Sequence, residues 1–203
     1  NLVFLPASKT GTTAVEGALR PPCSIEVRNP PRLRHMNVRR FRREWRPFLQ
    51  EAYGFDGETV SVLREPLSWL ESWYRYRGRD QSTATNRSTA GMSFDHFVEQ
   101  VLQDGPPPFA DVGSQFFFAT SNTDEIEIDH LFVYEQFDRV VAFLEARLGQ
   151  TLKLSEANVS PRRKVRLSPD LEAELRRIWA KEFALYDRIA AAGHLRARGA
   201  AQC

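Results

Sequence analysis

A lysine, a glycine and several hydroxyl side chains follow the first apolar run of the chain. That run, residues 2–5, is typical of a buried parallel strand, and the next residues read Pro-Ala-Ser-Lys-Thr-Gly-Thr-Thr. A glycine lets the backbone approach a ligand closely, and amides at a helix N-terminus point at an anion. The segment is therefore predicted to be a P-loop-like, phosphate-binding strand–turn–helix that contacts its ligand through Ser8, Lys9, Thr10, Gly11, Thr12 and Thr13.

The order of lysine and glycine separates this segment from the loop of nucleoside triphosphatases. Those loops read G-x-x-x-x-G-K-[ST], whereas here Lys9 precedes Gly11 and no Gly-Lys-Ser or Gly-Lys-Thr occurs in the chain. A Mg²⁺-bound triphosphate is therefore not the expected ligand, and no metal ion is expected in the site. A polar turn ahead of a helix is the alternative interpretation of the same residues.

A second polar motif follows the second strand-like run, residues 59–63. Arg64 comes directly after that run, and Ser72 lies eight residues on, early in a helix that Pro66 can open. A guanidinium and a hydroxyl placed in this way could converge on one phosphate. The sequence therefore predicts a second phosphate contact, made by Arg64 and Ser72.

Together the two motifs resemble the nucleotide signatures of the sulfotransferase superfamily. They read P-x-x-K-T-G-T-T from Pro6 and L-R-E-P-L-x-x-x-x-S-x-Y from Leu63. In that family the first loop binds the 5′-phosphosulfate end of 3′-phosphoadenosine 5′-phosphosulfate, and the second binds its 3′-phosphate. The resemblance implies a sulfotransferase of the glycan or bacterial type that uses this nucleotide as its sulfuryl donor.

The C-terminal half carries further parts of the resemblance. Residues 129–137 are similar to the family's strand-to-helix segment that ends in an acidic residue, with Tyr134 where a familiar arginine stands. The basic loop after residues 158–160 is similar to the family's C-terminal part, but the R-K-G motif of the cytosolic group is missing. The resemblance therefore implies that Arg162, Arg163 or Arg166 does comparable work at the nucleotide.

Sulfuryl transfer needs a base that takes the proton of the acceptor hydroxyl and a cationic group beside the leaving phosphate. Lys9 is expected to stabilise the leaving bridging oxygen. His35 lies between the two nucleotide motifs, where several of the glycan sulfotransferases that the chain resembles carry a histidine as general base. Its ordinary pKa of about 6.5 suits that role. Glu16 is the runner-up base, and His130 is a further residue that could contact the acceptor.

The acceptor is expected to be a hydroxyl-bearing saccharide or a glycolipid-like molecule. Aromatic residues at helical spacing more often pack in a core than bind a ligand. With that alternative open, the side chains that could bind the acceptor are Trp69, Trp73, Tyr76 and those of residues 115–118.

The net charge of +2 hides an uneven distribution of positive charge. Eight arginines lie between Arg28 and Arg46 against one acid, Glu44. This block supports an alternative function, a polyanion-binding module for heparin-like glycans or nucleic acid. Nothing resembles a nucleic-acid reader motif, so no nucleic-acid partner is expected. A nucleotide-dependent phosphotransferase is a second alternative.

Strand-like and helical segments alternate along the chain. A third strand is predicted over residues 131–134, and helices over 66–77, from Ser93, over 137–148 and from Ser168 to Ile189. This alternation predicts an α/β fold with a central parallel sheet flanked by helices, and a ligand at the carboxyl ends of the strands. With 203 residues, 42% of them hydrophobic, the chain is expected to form a single domain over residues 1–203.

Several protein classes are excluded by composition. Two cysteines, Cys23 and Cys203, cannot form a disulfide framework or a zinc cage built mainly from cysteine. No apolar run approaches the roughly 18–20 residues of a membrane-spanning helix. Residues 1–6 are too few for a signal peptide, which leaves upstream targeting open. A cytoplasmic enzyme is the default prediction.

Overall fold

The computed structural model describes residues 1–79, 86–154 and 165–197. Its sheet has four strands in the order β1-β2-β3-β4, namely Leu2–Phe4, Glu58–Leu63, His130–Val133 and Leu195–Arg196. The first three strands are parallel, and β4 is antiparallel to β3. The predicted α/β class is confirmed. The sheet is mostly rather than wholly parallel, because the sequence analysis did not foresee β4.

Helices surround this sheet. Their bounds are Thr12–Leu19 (α1), Pro31–Arg34 (α2), Val38–Arg40 (α3), Arg46–Tyr53 (α4), Pro66–Arg77 (α5), Phe94–Val101 (α6), Gln115–Ala119 (α7), Phe137–Leu148 (α8), Pro169–Ile178 (α9) and Ala180–Ala192 (α10). A π-helical turn over Phe41–Trp45 joins α3 to α4. A 3-10 turn over Tyr134–Gln136 joins β3 to α8.

Several helix ends follow the capping residues in the sequence. The side chain of Ser93 accepts a hydrogen bond from the amide of His96, which starts α6, and Gly149 ends α8 in the left-handed conformation. The single helix predicted from Ser168 to Ile189 is wrong at one position. Trp179 adopts φ −95° and ψ 29°, so the chain turns there and forms two helices, α9 and α10.

Both faces of the sheet are buried because its parallel strands are apolar on both sides. Leu63 and Val133 face a cluster that includes residues of α10. Val62 and Phe132 face the opposite cluster, which includes residues of α8. A third cluster joins α5, α6 and α9. No helix among the described residues is long and apolar enough to cross a membrane.

The parallel strands end at one edge of the sheet, where three polar segments therefore meet. The loop before α1 follows β1, Arg64 follows β2, and Tyr134 follows β3. Their packing is close: a Cβ added to Gly11 would lie 2.8 Å from Cε2 of Tyr134. This edge is where an α/β sheet of this kind binds its ligand.

Gly11→Ala is expected to destabilise the fold more than Gly91→Ala. Both glycines have left-handed φ values, 74° and 78°, in which a side chain costs about 1–2 kcal/mol. A Cβ at Gly91 would meet nothing within 4 Å, whereas at Gly11 it would collide with Tyr134. Such overpacking adds about 1–3 kcal/mol, which urea unfolding of the two variants can measure. Equal losses in the two variants would contradict the packing of Tyr134 on Gly11.

Candidate functional site

Four consecutive carbonyl groups of the loop between β1 and α1 accept hydrogen bonds from side chains. The pairs are Pro6 O with His35 Nδ1 (2.7 Å), Ala7 O with Thr10 Oγ1 (2.9 Å), Ser8 O with Trp69 Nε1 (2.7 Å) and Lys9 O with Arg64 Nη1 (3.3 Å). In a trans peptide the N–H of the next residue points opposite to the carbonyl. The amides of residues 7–10 therefore point away from these four donors.

Two residues of this loop have left-handed backbone conformations. Gly11 adopts φ 74° without cost, but Lys9 adopts φ 66° although it has a side chain. That conformation costs about 1–2 kcal/mol and persists where the surroundings fix it, as the four carbonyl contacts do here. Just beyond, the amides of Thr12 and Thr13 lie in the first turn of α1, where helix amides have no acceptor within the helix. Lys9 and Gly11 are thus both left-handed just ahead of a helix N-terminus.

The ammonium of Lys9 lies among aromatic rings and other cations. Its Nζ is 4.0 Å from the ring centre of Tyr76 and 5.9 Å from that of Trp73. Burial lowers the pKa of Lys9 to about 8, and repulsion from Arg79, Arg64 and Arg75 adds to this effect. Lysine is still mostly charged at pH 7. Four cationic side chains are thus gathered beside the loop.

Arg64 connects this loop to β2 and α5. Its Nε donates to the hydroxyl of Ser68 at 2.9 Å, and its guanidinium lies 4.6 Å from the ring centre of Tyr134. Burial lowers the pKa of Arg64, so the cation carries a desolvation cost. Ser68 is therefore the hydroxyl that contacts Arg64, and the convergence of Arg64 and Ser72 on one phosphate stays a prediction. Ser72 lies one helical turn further along the same face of α5.

The side chain of Gln115, at the start of α7, fixes the backbone of Arg64. Its Oε1 accepts from the Arg64 amide and its Nε2 donates to the Arg64 carbonyl, both at 2.8 Å. Sequence reasoning missed this role and that of Ser68. The four-residue spacing from Arg64 to Ser68 at a helix start was a usable signal, but nothing in the pattern relates Gln115 to a strand 51 residues earlier.

His35, the predicted base, is fixed by its bond to Pro6. A carbonyl oxygen can only accept, so Nδ1 carries the proton and the neutral ring has its lone pair on Nε2. Burial lowers the pKa of His35, only partly opposed by this bond, and Arg34 adds to the lowering. The ring is therefore neutral at pH 7 and can accept a proton at Nε2.

Glu16, the runner-up base, and His130, the further candidate for an acceptor contact, are both held by other side chains. Both carboxylate oxygens of Glu16 accept hydrogen bonds from the guanidinium of Arg34. Glu16 is thus held in an ion pair. His130 is the first residue of β3, and its buried ring is bonded to His194 and lies 3.3 Å from Glu58. A contact of His130 with an acceptor stays a prediction.

The remaining predicted nucleotide contacts differ in what the structure assigns to them. The hydroxyl of Thr10 is bound to the carbonyl of Ala7, and the residue is fully buried. Thr12 is buried at the first position of α1, whereas Thr13 is exposed at the second. Arg162 and Arg163 lie outside the described residues, and Arg166 is exposed. The described segments hold no group of three or more His, Cys, Asp or Glu side chains that could bind a metal ion.

The predicted acceptor-binding aromatics separate into buried and exposed rings. Trp69 is buried, and its indole N–H donates to the carbonyl of Ser8 in the loop, while Phe118 is part of the core. Tyr76 is 44% exposed beside Lys9. Phe117 is 48% exposed but stacks on Arg39, whose guanidinium lies 3.9 Å from the ring centre. Of these aromatics, Tyr76 combines exposure with a place next to Lys9.

A groove of about 510 Å³ runs beside β1. Its walls are mostly apolar and include residues of β1 and of segment 22–27. The groove is also lined by Pro6, Glu16 and Arg34. Pro6 accepts the hydrogen bond from His35, and Arg34, the residue before His35, pairs with Glu16. The groove therefore reaches the side of the loop on which the candidate base is fixed.

Lys9→Met is expected to stabilise the fold at pH 7 by about 1–2 kcal/mol. The lowered pKa of Lys9 means that the folded state bears a cost for the charged amine below about pH 8. Between that pH and about 10.5 the folded protein releases the proton before the unfolded chain does, so the cost is relieved. Urea unfolding at pH 7 and at about pH 9.5 should show a smaller gain at the higher pH.

The control is Lys181→Met, which removes an exposed ammonium paired with Asp124. This change should alter the free energy of unfolding by less than about 1 kcal/mol at either pH. A destabilised Lys9→Met variant would mean that the ammonium contributes more through its ring contacts than its burial costs.

Comparison with known proteins does not assign a family to the chain, because no family model and no curated protein matches it. Its function therefore has to be argued from the geometry and charge of this site.

Proposed function

We propose that the chain is a sulfotransferase that moves a sulfuryl group from 3′-phosphoadenosine 5′-phosphosulfate to an acceptor hydroxyl. The observation that carries this proposal is the gathering of four cations, Lys9, Arg64, Arg75 (which pairs with Glu71) and Arg79, beside a loop that side chains of the second motif anchor. Like charges brought together in a half-buried site favour a multiply charged anion. The resemblance of the two motifs to sulfotransferase signatures names that anion.

The two motifs would contact the two ends of the nucleotide. In this proposal Lys9 and the amides at the start of α1 hold the 5′-phosphosulfate, and Arg64 with the hydroxyl face of α5 holds the 3′-phosphate. Because Ser68 and Ser72 lie one turn apart on that face, either hydroxyl can reach a phosphate bound by Arg64. The bond from Arg64 to the Lys9 carbonyl would couple the two contacts.

In the reaction, the acceptor oxygen forms a bond to sulfur while the bond from sulfur to the bridging phosphate oxygen breaks. Nε2 of His35 takes the proton of the acceptor hydroxyl, since its lone pair is free in the neutral ring. Lys9 stabilises the negative charge that develops on the bridging oxygen. Both side chains are fixed to the same loop, which favours a constant distance between base and leaving group.

The acceptor in this proposal is a saccharide or a glycolipid-like molecule. Tyr76 offers an exposed ring next to Lys9, and a ring of this kind can stack on a sugar face. The apolar groove beside β1 offers room for the lipid part of a glycolipid.

The alternative of a polyanion-binding module is less well supported. Seven of the eight arginines in the Arg28–Arg46 block contact acceptors within the chain. The contacts are Arg28 with Glu26, Arg34 with Glu16, Arg39 with Thr120 and Asn122, Arg40 and Arg43 with Glu44, Arg42 with Glu127, and Arg46 with Gly57. A cation already paired gains less from a polyanion, because the existing contact must be lost or shared.

Calorimetry with 3′-phosphoadenosine 5′-phosphate tests the donor site directly. The wild-type protein should bind it, and Arg64→Ala should weaken binding by about 1.5–3 kcal/mol because one charge-assisted phosphate contact is lost. Arg43→Ala is the matched control, since Arg43 lies in the arginine block and its side chain is 71% exposed. That variant should bind the nucleotide as the wild type does.

The same titrations separate the alternatives. Binding of ATP with Mg²⁺ and no heat with 3′-phosphoadenosine 5′-phosphate would favour a phosphotransferase. Retention on heparin that falls steeply with salt and weakens in Arg43→Ala, without nucleotide binding, would favour the polyanion-binding module. Either result would overturn the proposal.

His35→Ala should lower turnover by about 10²–10⁴-fold and leave nucleotide affinity nearly unchanged. The wild-type rate should fall on the acid side of neutrality, where the ring becomes protonated, and this limb should disappear in the variant. The measurement is transfer of labelled sulfate to a panel of saccharide and glycolipid acceptors.

His96→Ala is the control for His35, because His96 is an exposed histidine on α6. Its rate and pH profile should match those of the wild type. Turnover that survives in His35→Ala with the acid limb intact would remove His35 from the mechanism and leave the donor site unaffected.

A further inference from the structure

Two histidine rings are bonded to each other at the edge of the sheet opposite the proposed site. His130 begins β3, and His194 immediately precedes β4. Nδ1 of His130 lies 2.9 Å from Nε2 of His194. The ring of His130 is buried, and the ring of His194 stacks on Phe132 with 4.5 Å between ring centres. Neither ring takes part in the proposed reaction.

This bond links the same two strands as a short backbone ladder. Strand β4 has two residues, and its register pairs His130 with Arg196 and Leu131 with Leu195. One further bond, from the amide of Ala197 to the carbonyl of Asp129, extends the ladder. A ladder this short contributes little by itself, so side-chain contacts also hold β4 in place, among them the imidazole bond, the stacking of His194 on Phe132 and the ion pair of Arg196 with Glu58.

The charged groups around the pair come from three elements. Glu58 of β2 has its Oε2 3.3 Å from Nε2 of His130, and it also pairs with Arg147 of α8 and Arg196 of β4. Arg139 of α8 packs against Gly193, next to His194. Asp129, which precedes His130, is bonded to the amide and hydroxyl of Thr59. One carboxylate, Glu58, therefore faces the pair together with several arginines.

The proton count of the two rings decides whether their bond can exist. When both rings are neutral, His130 can point its Nε2–H at Glu58, and its Nδ1 accepts a hydrogen bond from Nε2–H of His194. When the pair has taken up one proton, His130 carries hydrogen on both nitrogens, and Nε2 of His194 accepts the bond. With two added protons, both facing nitrogens carry hydrogen and neither can accept, so the bond is replaced by repulsion between two cations.

We propose that the pair of His130 and His194 is an acid-sensitive latch. It holds β4 against β3 while at most one of the two rings is cationic, and it releases β4 when both rings are cationic. Such a latch responds to the pH range in which histidine titrates, without any ligand.

The electrostatics of the cluster agree with this behaviour. Burial lowers the pKa of His194, and His130 and Arg196 lower it further, so the second proton is resisted until the solution is acidic. Although burial raises it, bonds from Arg147 and His130 lower the pKa of Glu58 to about 2. Glu58 therefore stays ionised in the pH range in which His194 takes up a proton, and it is not the group that opens the latch.

Hydrogen exchange of the backbone amides tests the latch. After correction for the intrinsic effect of pH, the amides of residues 195–197 should lose protection between about pH 7.5 and about pH 5.5 in the wild type. The protection factor should fall by about tenfold for each pH unit that separates the pKa of the second imidazole in the closed latch from its pKa in the released one. Amides of β2 should stay protected over the same range, which separates local release from unfolding of the whole protein.

His194→Gln should abolish the pH dependence. A glutamine amide can still donate to Nδ1 of His130 but does not titrate, so protection of residues 195–197 should be the same at both pH values. His96→Gln is the control and should keep the wild-type response, because His96 is exposed on α6. A His194→Gln variant with the full acid-dependent loss would overturn the latch.

A second measurement does not depend on any variant. The ¹⁵N shifts of the wild-type imidazoles report how many nitrogens carry hydrogen at each pH. The loss of protection in β4 should follow the protonation of the second ring. Two cationic rings beside a fully protected β4 would overturn the proposal, whatever the donor site binds.

Discussion

The anchoring of four consecutive carbonyls after β1 by side chains is the constraint on which the candidate site depends. A loop at the end of a strand has no ladder to fix its carbonyls. Here the donors on His35, Thr10, Trp69 and Arg64 fix all four. The price is the left-handed conformation of Lys9, a residue with no intrinsic preference for it.

This anchoring makes the two sequence motifs one physical unit. Arg64 and Trp69 belong to the second motif, yet each donates to a carbonyl of the first. Gln115 fixes the backbone of Arg64 from a third segment, so the guanidinium emerges from a rigid position. A substitution at Arg64 therefore removes a cation and also frees the carbonyl of Lys9. For the same reason, effects of Lys9 and Arg64 variants on ligand binding are not expected to add.

The elements around the site follow from the sequence better than its contacts do. Continuous apolar runs predicted β1, β2 and β3, and the cap at Ser93 predicted the start of α6, because burial and capping are local properties. Strand β4 was missed because two residues carry no period. The contact of Arg64 with Ser68 was missed, because which hydroxyl a long guanidinium reaches depends on its rotamer and not on spacing alone. The role of Gln115 depends on the packing of α7, which no local pattern encodes.

The two edges of the sheet deal with positive charge in opposite ways. At the edge where the strands begin, Glu58 lies among His130, Arg147 and Arg196, and these partners keep its carboxylate ionised. At the edge where the strands end, Glu71 pairs with Arg75, and burial, with repulsion from the neighbouring arginines, still lowers the pKa of Lys9. At the first edge, the carboxylate that compensates the cations is part of the fold. At the second, Glu71 and Glu135 lie near Arg64, but Lys9 bears the cost of its buried charge, which the anion of the proposed function would offset.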